Sequence, residues 1–209
     1  MKITVIGSTR GIGLKVVEQA VEKGHSVTAL VRNPASLFFR HKNLHIIQGD
    51  VLAPHTISGA LGGQDVIVFT VGIMPTRAPV KVFSEGTKNV LDAMQETGAK
   101  FLIAVTGMGA GDSKGHWGFA YRFIYTLVSI KTIYEDKDRQ EQLIKESDIE
   151  WIIVRPAFLT EGPITGRYRI LTDMKTIRPG SISRADVAHF ILNQVSDPSF
   201  LRQAPILMY

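Results

Sequence analysis

Short runs of apolar residues alternate along the chain with longer stretches in which apolar positions recur every three or four residues. Lys2 to Ile6 is such a run, and a glycine turn connects it to Gly11 to Lys23, where apolar side chains fall at helical spacing. Gly24 ends this predicted helix, and a second apolar run follows from Ser26 to Val31. The chain therefore opens with a predicted strand–helix–strand unit of roughly 30 residues.

The same alternation continues through the rest of the sequence. Further predicted strands are Leu44 to Gln48, Asp65 to Thr70, Phe101 to Val105 and Trp151 to Val154, with helical stretches between most of them. Apolar residues are continuous within these runs, which is typical of strands covered on both faces. We therefore predict one α/β domain over residues 1–209, a Rossmann-type doubly wound parallel sheet with a small C-terminal elaboration. Such a sheet binds its ligand at the carboxyl ends of its strands.

Composition narrows the range of functions. The 209 residues are 44% apolar, enough for a full core, and include no cysteine, which excludes disulfides and thiolate chemistry. The net charge of +5 is spread along the chain, so we expect a small-molecule substrate and no nucleic acid. No signal-peptide pattern and no long uncharged apolar run is present, so we expect a cytoplasmic protein without a membrane segment. His41 and His45 lack a convincing third ligand, so we expect no metal.

The turn after the first strand has the glycine pattern of a dinucleotide-binding loop. Its glycines permit a sharp turn, a close approach of the backbone to a pyrophosphate, and close packing of the helix on the sheet. The predicted cofactor loop consists of Gly7, Ser8, Thr9, Arg10, Gly11, Ile12 and Gly13. A loop that only turns the chain is the weaker interpretation, because strand, loop, helix and second strand stand in the required order.

Two arginines favour NADP(H) as the cofactor. Arg32 follows the second strand, where NAD enzymes usually place a carboxylate on the ribose and NADP enzymes an arginine on the 2′-phosphate. Arg10 lies in the glycine loop and can approach the same phosphate from the other side. The alternative interpretation is that both arginines are solvated and bind no phosphate.

Further cofactor contacts are expected after the third and fourth strands. Asp50 stands where a carboxylate can accept a hydrogen bond from the adenine amino group, with Val51 beside it. Val71 and Gly72 follow the fourth strand, where the chain passes beside the cofactor, although a plain turn would also use a glycine there.

Together these motifs resemble the atypical short-chain dehydrogenases of the NmrA-like group, and within it the biliverdin and flavin reductases. The likeness rests on the glycine loop, Leu30-Val31-Arg32, Gly49-Asp50-Val51, Ser84 to Val90, Ile153-Val154-Arg155-Pro156, Pro163 to Gly166 and Ser183 to Phe190. It implies a monomeric NADPH-dependent reductase of flavins such as FMN and of linear tetrapyrroles such as biliverdin. The acceptor would stack on the nicotinamide in an open pocket.

The sequence departs from those reductases at the positions that deliver protons. Gly107 and Ala157 stand where they carry a serine and a histidine, and Arg10 replaces the middle glycine of their first loop. The Tyr-x-x-x-Lys pair of ordinary short-chain dehydrogenases is also absent. The resemblance places Lys137 near the nicotinamide ribose, whereas Tyr134, three residues earlier, is interpreted as a packing residue because the register is wrong.

These departures favour a flavin over a ketone as the acceptor. A flavin accepts hydride directly and exchanges protons with water, so the protein need only bind NADPH and hold the ring against the nicotinamide. Thr106 and Lys137 are the candidate catalytic residues, with a purely structural role for Thr106 equally open. Pro156, Ala157 and Phe158 are expected at the cofactor, and Met108, Trp117 and Phe119 at the acceptor, within covering segments of about 108–125 and 158–180.

Two other interpretations stay open at this point. One is a non-catalytic NADP(H) sensor or regulator of the NmrA-like type, and the other is a carbonyl or quinone reductase. Four basic residues are candidate partners for a flavin phosphate or bilin propionates, or alternatively form a solvated face: Arg167, Arg169, Lys175 and Arg178.

Overall fold

The computed structural model describes residues 1–114, 130–173 and 180–209. The first six strands are β1 Lys2–Ile6, β2 Ser26–Val31, β3 Leu44–Gln48, β4 Val66–Phe69, β5 Phe101–Val105 and β6 Glu150–Pro156. Four short strands follow them: β7 Phe158–Thr160, β8 Arg169–Leu171, β9 Ser181–Ser183 and β10 Ile206–Met208. The α-helices of the described ranges are α1 Gly11–Glu22, α2 Ser58–Leu61, α3 Val82–Thr97, α4 Lys131–Glu146 and α5 Arg184–Ser196.

Eight strands form the main sheet in the order β3-β2-β1-β4-β5-β6-β10-β8. Neighbouring strands pair in parallel except for β8, which runs antiparallel to β10. The chain moves outward from β1 to β3 and then returns to place β4 on the other side of β1. This reversal opens a crevice at the carboxyl ends of β1 and β4, which is where such sheets bind ligands.

Helices cover both faces of the sheet, which explains the continuous apolar runs. Ile103 and Val105 face a cluster formed with α1 and α5, whereas Leu102 and Ala104 face a cluster formed with α2, α3 and α4. Alternate side chains of a strand point to opposite faces, so both sets must be apolar when both faces are covered. The predicted doubly wound parallel sheet is confirmed.

The elements match the predicted ones closely, with two differences at strand ends. β4 is one residue shorter than predicted at each end, and the side chain of Asp65, just before the strand, accepts a hydrogen bond from the backbone N–H of Lys2 at 2.8 Å. β6 is longer and continues to Pro156 because β10 pairs with its last residues, which the sequence pattern did not indicate.

Buried Asp186 in the first turn of α5 holds the C-terminal part together. Its carboxylate accepts hydrogen bonds from the backbone N–H groups of Thr165 and Gly166, at 2.8 and 2.9 Å, and from the hydroxyl of Tyr209, at 2.7 Å. The loop before β8 and the last described residue are thereby fixed to the start of α5. Across the described ranges, none of the helices has the length and apolar character needed to cross a membrane.

Candidate functional site

The glycine loop between β1 and α1 lies directly against the end of β4. Gly7 has a φ of +87°, and a Cβ atom there would lie 2.7 Å from the carbonyl carbon of Thr70. A Cβ atom on Gly13 would lie 2.3 Å from the carbonyl oxygen of Gly7. Both distances are shorter than the non-bonded contacts that Cβ atoms make in proteins. These two positions therefore require glycine for the loop to pack in this conformation. Gly11 also has a positive φ, of +61°, and the nearest atoms to a built Cβ there belong to the Arg184 side chain, at 3.7 and 3.8 Å.

The start of α1 has unsatisfied hydrogen-bonding groups that fit an anion. Arg10 is the N-cap residue in an extended conformation, its side chain does not cap the helix, and the first turn contains no acidic residue. Ser8 is fully buried, yet its hydroxyl has no hydrogen-bond partner within the described ranges. Buried hydroxyls and helical N–H groups normally find partners, and the phosphates of a dinucleotide supply them. The loop therefore fits the predicted cofactor.

The two arginines that were assigned to the 2′-phosphate are both exposed. Arg32 follows β2, and its backbone carbonyl accepts a hydrogen bond from Gln48 at 3.3 Å. Among the described residues, neither Arg10 nor Arg32 forms an ion pair with an acidic side chain. Both guanidinium groups can therefore bind an added phosphate without first losing a carboxylate.

The turn after β3 is held by its own hydrogen bonds. The carboxylate of half-buried Asp50 accepts one from the backbone N–H of Leu52 at 3.0 Å, and Asn89 donates one to the carbonyl of Val51 at 2.8 Å. Val51 is buried against Gly86, where a Cβ atom would lie 2.8 Å from its side chain. The contact of Asp50 with adenine stays a prediction, as do those of half-buried Val71 and exposed Gly72 after β4.

A cleft of about 280 Å³ opens at the carboxyl ends of β5 and β6, at the predicted nicotinamide position. It brings together four of the predicted cofactor residues, Thr106, Pro156, Ala157 and Phe158, with four further residues, Gly107, Tyr134, Leu159 and Arg184. Phe158 is 65% exposed and offers an open aromatic face. Met108 does not line this cleft, because it is buried in a cluster with Ala157, Ile206 and Met208. Trp117 and Phe119 lie outside the described residues.

A buried ionic network lies beneath the cleft and engages Thr106. The Thr106 hydroxyl donates a hydrogen bond to Glu141 of α4 at 2.7 Å, and the Nε of fully buried Arg155 donates to the same oxygen at 2.9 Å. Arg155 also pairs with Asp112 through its terminal nitrogen. The Thr106 hydroxyl donates its hydrogen bond to Glu141 and so fixes the end of β5. This geometry favours a structural role for Thr106 over a catalytic one.

Lys137 lies next to Thr106 on the other side. Its ammonium group donates a hydrogen bond to the Thr106 carbonyl and lies 4.8 Å from the centre of the Phe83 ring. Burial lowers the pKa of Lys137 to about 8, although the charges of Glu141 and Asp136 act in the opposite direction. The predicted position of Lys137 near the nicotinamide ribose is compatible with this placement and stays a prediction.

Tyr134 packs against a buried cluster that includes Phe83, as the sequence pattern indicated, and its side chain also lines the cleft. A Cβ atom built on Gly107 would lie 3.0 Å from the Tyr134 hydroxyl oxygen. The hydroxyl therefore lies next to the position that a serine side chain at residue 107 would occupy. The sequence contained a signal for this arrangement, since Tyr134 and Lys137 are three residues apart and share one helix face.

Arg184 is a cleft residue that the sequence analysis did not single out. It begins α5, lines the cleft, and donates a hydrogen bond to Glu161 at 2.7 Å. Of the basic residues considered earlier, Arg167 is exposed and Arg169 donates to the Tyr209 carbonyl at 3.1 Å. Lys175 and Arg178 lie outside the described residues.

One of the two histidines considered as metal ligands makes a local backbone contact instead. The ring of His41 accepts a hydrogen bond from the backbone N–H of Asn43 at 3.1 Å. No group of three or more metal-ligating side chains occurs in the ranges that the structure describes.

Fold and loop together define a Rossmann-type dinucleotide-binding protein, and comparisons with known proteins agree. A family model described as NAD(P)H-binding matches residues 7–198. An uncharacterized chloroplastic protein of Arabidopsis thaliana, At2g34460, is 31% identical over 90% of this chain and 69% of its own length. An NAD(P)H azoreductase of Xenophilus azovorans is 26% identical over 77% of this chain and 49% of its own.

Solved structures share the fold. The anaerobillin reductase ChuY of Escherichia coli O157:H7 superimposes with a TM-score of 0.84 at 21% identity, and the match covers 100% of this chain and 97% of that one. The chain spans 51–69% of the length of the first three curated relatives it matches. It belongs to the NAD(P)H-binding family, in agreement with the predicted dinucleotide-binding motifs.

Proposed function

We propose that this protein is an NADPH-dependent reductase that passes a hydride to a planar conjugated acceptor, with a flavin such as FMN as the first candidate and biliverdin as the second. The observation that carries the proposal is the cleft at the ends of β5 and β6, which contains the aromatic rings of Tyr134 and Phe158 and lies beside the glycine loop. Two proteins similar to this chain are named as reductases, one an azoreductase and one an anaerobillin reductase, which supports the reaction class.

The cofactor is held mainly by the glycine loop in this proposal. The N–H groups at the start of α1 and the hydroxyl of Ser8 bind the pyrophosphate, and Arg10 and Arg32 bind the 2′-phosphate. Lys137 orients the nicotinamide ribose. Bound NADPH supplies the hydride. The protein contributes by binding NADPH and the acceptor and by orienting them toward each other.

The acceptor ring lies in the cleft between the open face of Phe158 and the hydroxyl of Tyr134. In this position, over the ends of β5 and β6, the ring would lie against the nicotinamide. A flavin takes its proton from water, so the glycine and alanine at positions 107 and 157 do not prevent its reduction. An acceptor that needs a proton from the protein has the Tyr134 hydroxyl beside it.

The test is the consumption of NADPH, followed by the loss of reduced-nicotinamide absorbance. FMN, FAD, biliverdin and a simple quinone are offered in turn, and each is repeated with NADH. We expect turnover with flavin or biliverdin. Tight NADPH binding without turnover on any acceptor would contradict the proposal and favour a non-catalytic sensor.

The preference for NADPH is tested through Arg32. Replacing Arg32 with Ala removes a charge-assisted contact worth about 1.5–3 kcal/mol, which is roughly a 10- to 150-fold loss in NADPH affinity. NADH affinity should change by less than about threefold, because NADH has no 2′-phosphate. Lys88→Ala is the matched control, since it removes one positive charge from an exposed pair with Asp92. Equal losses for both cofactors in Arg32→Ala would show that the phosphate assignment is wrong.

A further inference from the structure

The cleft contains one charged side chain among its described lining residues, and it is a cation. The other lining groups are the apolar side chains of residues 156–159, the Tyr134 ring, and Thr106 with Gly107. The aromatic and apolar part of this lining accepts a conjugated ring without regard to its charge. A single guanidinium group at its edge adds a preference for a ligand with an acidic substituent.

Arg184 is fixed at its base and positioned between the two halves of the site. The preceding residue, Ser183, caps α5 by accepting a hydrogen bond from the Asp186 N–H at 3.0 Å, which anchors the backbone at Arg184. A Cβ atom built on Gly11 would lie 3.7 Å from the Arg184 Nε, so the side chain crosses the open face of the cofactor loop. Arg184 therefore reaches from the pyrophosphate loop to the acceptor cleft.

The present partner of Arg184 is easily displaced. Its Nη1 donates to Glu161, whose side chain is 79% exposed, whereas the side chain of Arg184 is 28% exposed. An ion pair with such an exposed carboxylate is screened by solvent and contributes little. An incoming phosphate or carboxylate can replace Glu161 and offers the same paired geometry to the guanidinium plane.

We propose that Arg184 forms an anion-binding subsite at the junction of the cofactor loop and the acceptor cleft, which binds a phosphate or carboxylate and selects acidic planar acceptors. This subsite rests on the proposed reductase function for the identity of its ligand. The anion has two sources, the acidic group of the acceptor or the pyrophosphate of the cofactor. Its position in the cleft favours the acceptor.

The experiment compares FMN with riboflavin, which have the same ring and differ in the phosphate. Binding of each to the protein saturated with NADP⁺ is measured by flavin fluorescence, so the result does not depend on turnover. We expect Arg184→Gln to weaken FMN binding at least tenfold and to leave riboflavin and NADPH binding within twofold. Glu161→Gln should tighten FMN binding, because the guanidinium group is released from its present partner.

Two controls separate this subsite from general effects. Arg202→Gln removes an arginine from another exposed ion pair, with Glu150, outside the cleft and should leave all three affinities unchanged. Arg184→Lys keeps the charge but loses the planar guanidinium group that can donate two hydrogen bonds to one phosphate. It should bind FMN with an affinity between those of the wild type and Arg184→Gln. A thermal melt of each variant confirms that the fold is retained.

The outcomes show whether the anion belongs to the acceptor or to the cofactor, and which results would refute the subsite. If Arg184→Gln weakens NADPH tenfold and changes FMN and riboflavin alike, the subsite holds the cofactor pyrophosphate. If none of the three affinities changes by more than twofold, the subsite is refuted. If the wild-type protein binds FMN more tightly than riboflavin through Arg184 but reduces none of the flavin, biliverdin and quinone acceptors, the subsite is retained and the reductase function is refuted.

Discussion

Replacing Glu141 should destabilise the protein more than any surface substitution near the site. Its carboxylate receives hydrogen bonds from Thr106 and from two nitrogens of Arg155, and both Glu141 and Arg155 are at most 1% exposed. In Glu141→Gln the buried guanidinium group keeps only Asp112, whose side chain is 64% exposed. Removing one partner of a buried ion pair costs about 3–5 kcal/mol.

Urea unfolding measures this cost directly. With a denaturant slope of about 2–3 kcal/mol per molar for a chain of this size, the midpoint should fall by roughly 1–2 M. Asp112→Asn is the matched control, because it removes the exposed partner of the same arginine and should cost less than about 1 kcal/mol. A midpoint shift for Glu141→Gln below about 0.3 M, or one no larger than that of Asp112→Asn, would refute the account of this network.

Three further predictions concern the loop and the two α4 side chains at the cleft. Gly13→Ala places a methyl group 2.3 Å from the Gly7 carbonyl oxygen and 2.4 Å from the Thr70 hydroxyl, so it should lower stability by about 1–3 kcal/mol in thermal melts and weaken NADPH at least tenfold. Gly59→Ala is the control, because a Cβ atom there has no neighbour within 4 Å, and it should change neither stability nor NADPH binding. NADPH-dependent turnover should fall as the pH rises through about 8, the pKa of Lys137, and Lys137→Arg should extend activity to higher pH. Unfolding does not explain such a fall, because a lysine pKa lowered on folding makes stability rise between about 8 and its unfolded value near 10.4. Tyr134→Phe should slow quinone reduction by about 10²-fold and FMN reduction by less than threefold in the same absorbance assay.

The strands, the first helix and the glycine loop could be predicted because each has a strong local signal. Gly7 and Gly13 are required by contacts within the loop and with the strand end beside it, and continuous apolar runs follow from a sheet covered on both faces. The extension of β6 to Pro156 was not predictable in this way, since it depends on pairing with β10, about fifty residues later in the chain.

The cleft residues were harder to predict because their roles depend on side chains from distant segments. Thr106 was correctly placed after β5, but its bond to Glu141 has no sequence signature. Arg184 begins a C-terminal helix, and only the tertiary fold brings it beside Gly11. Tyr134 was interpreted as a packing residue because it stands three rather than four residues before Lys137. Its hydroxyl reaches the cleft because Gly107 has no side chain to occupy that space.

The central claim, that bound NADPH reduces a planar acceptor in this cleft, is tested most directly by rapid mixing. The protein saturated with NADPH is mixed with FMN without oxygen, and the nicotinamide and flavin absorbances are recorded together. The account predicts that both fall in one phase, at a rate that saturates with FMN concentration. Bound NADPH whose absorbance stays constant while FMN remains oxidised would contradict it.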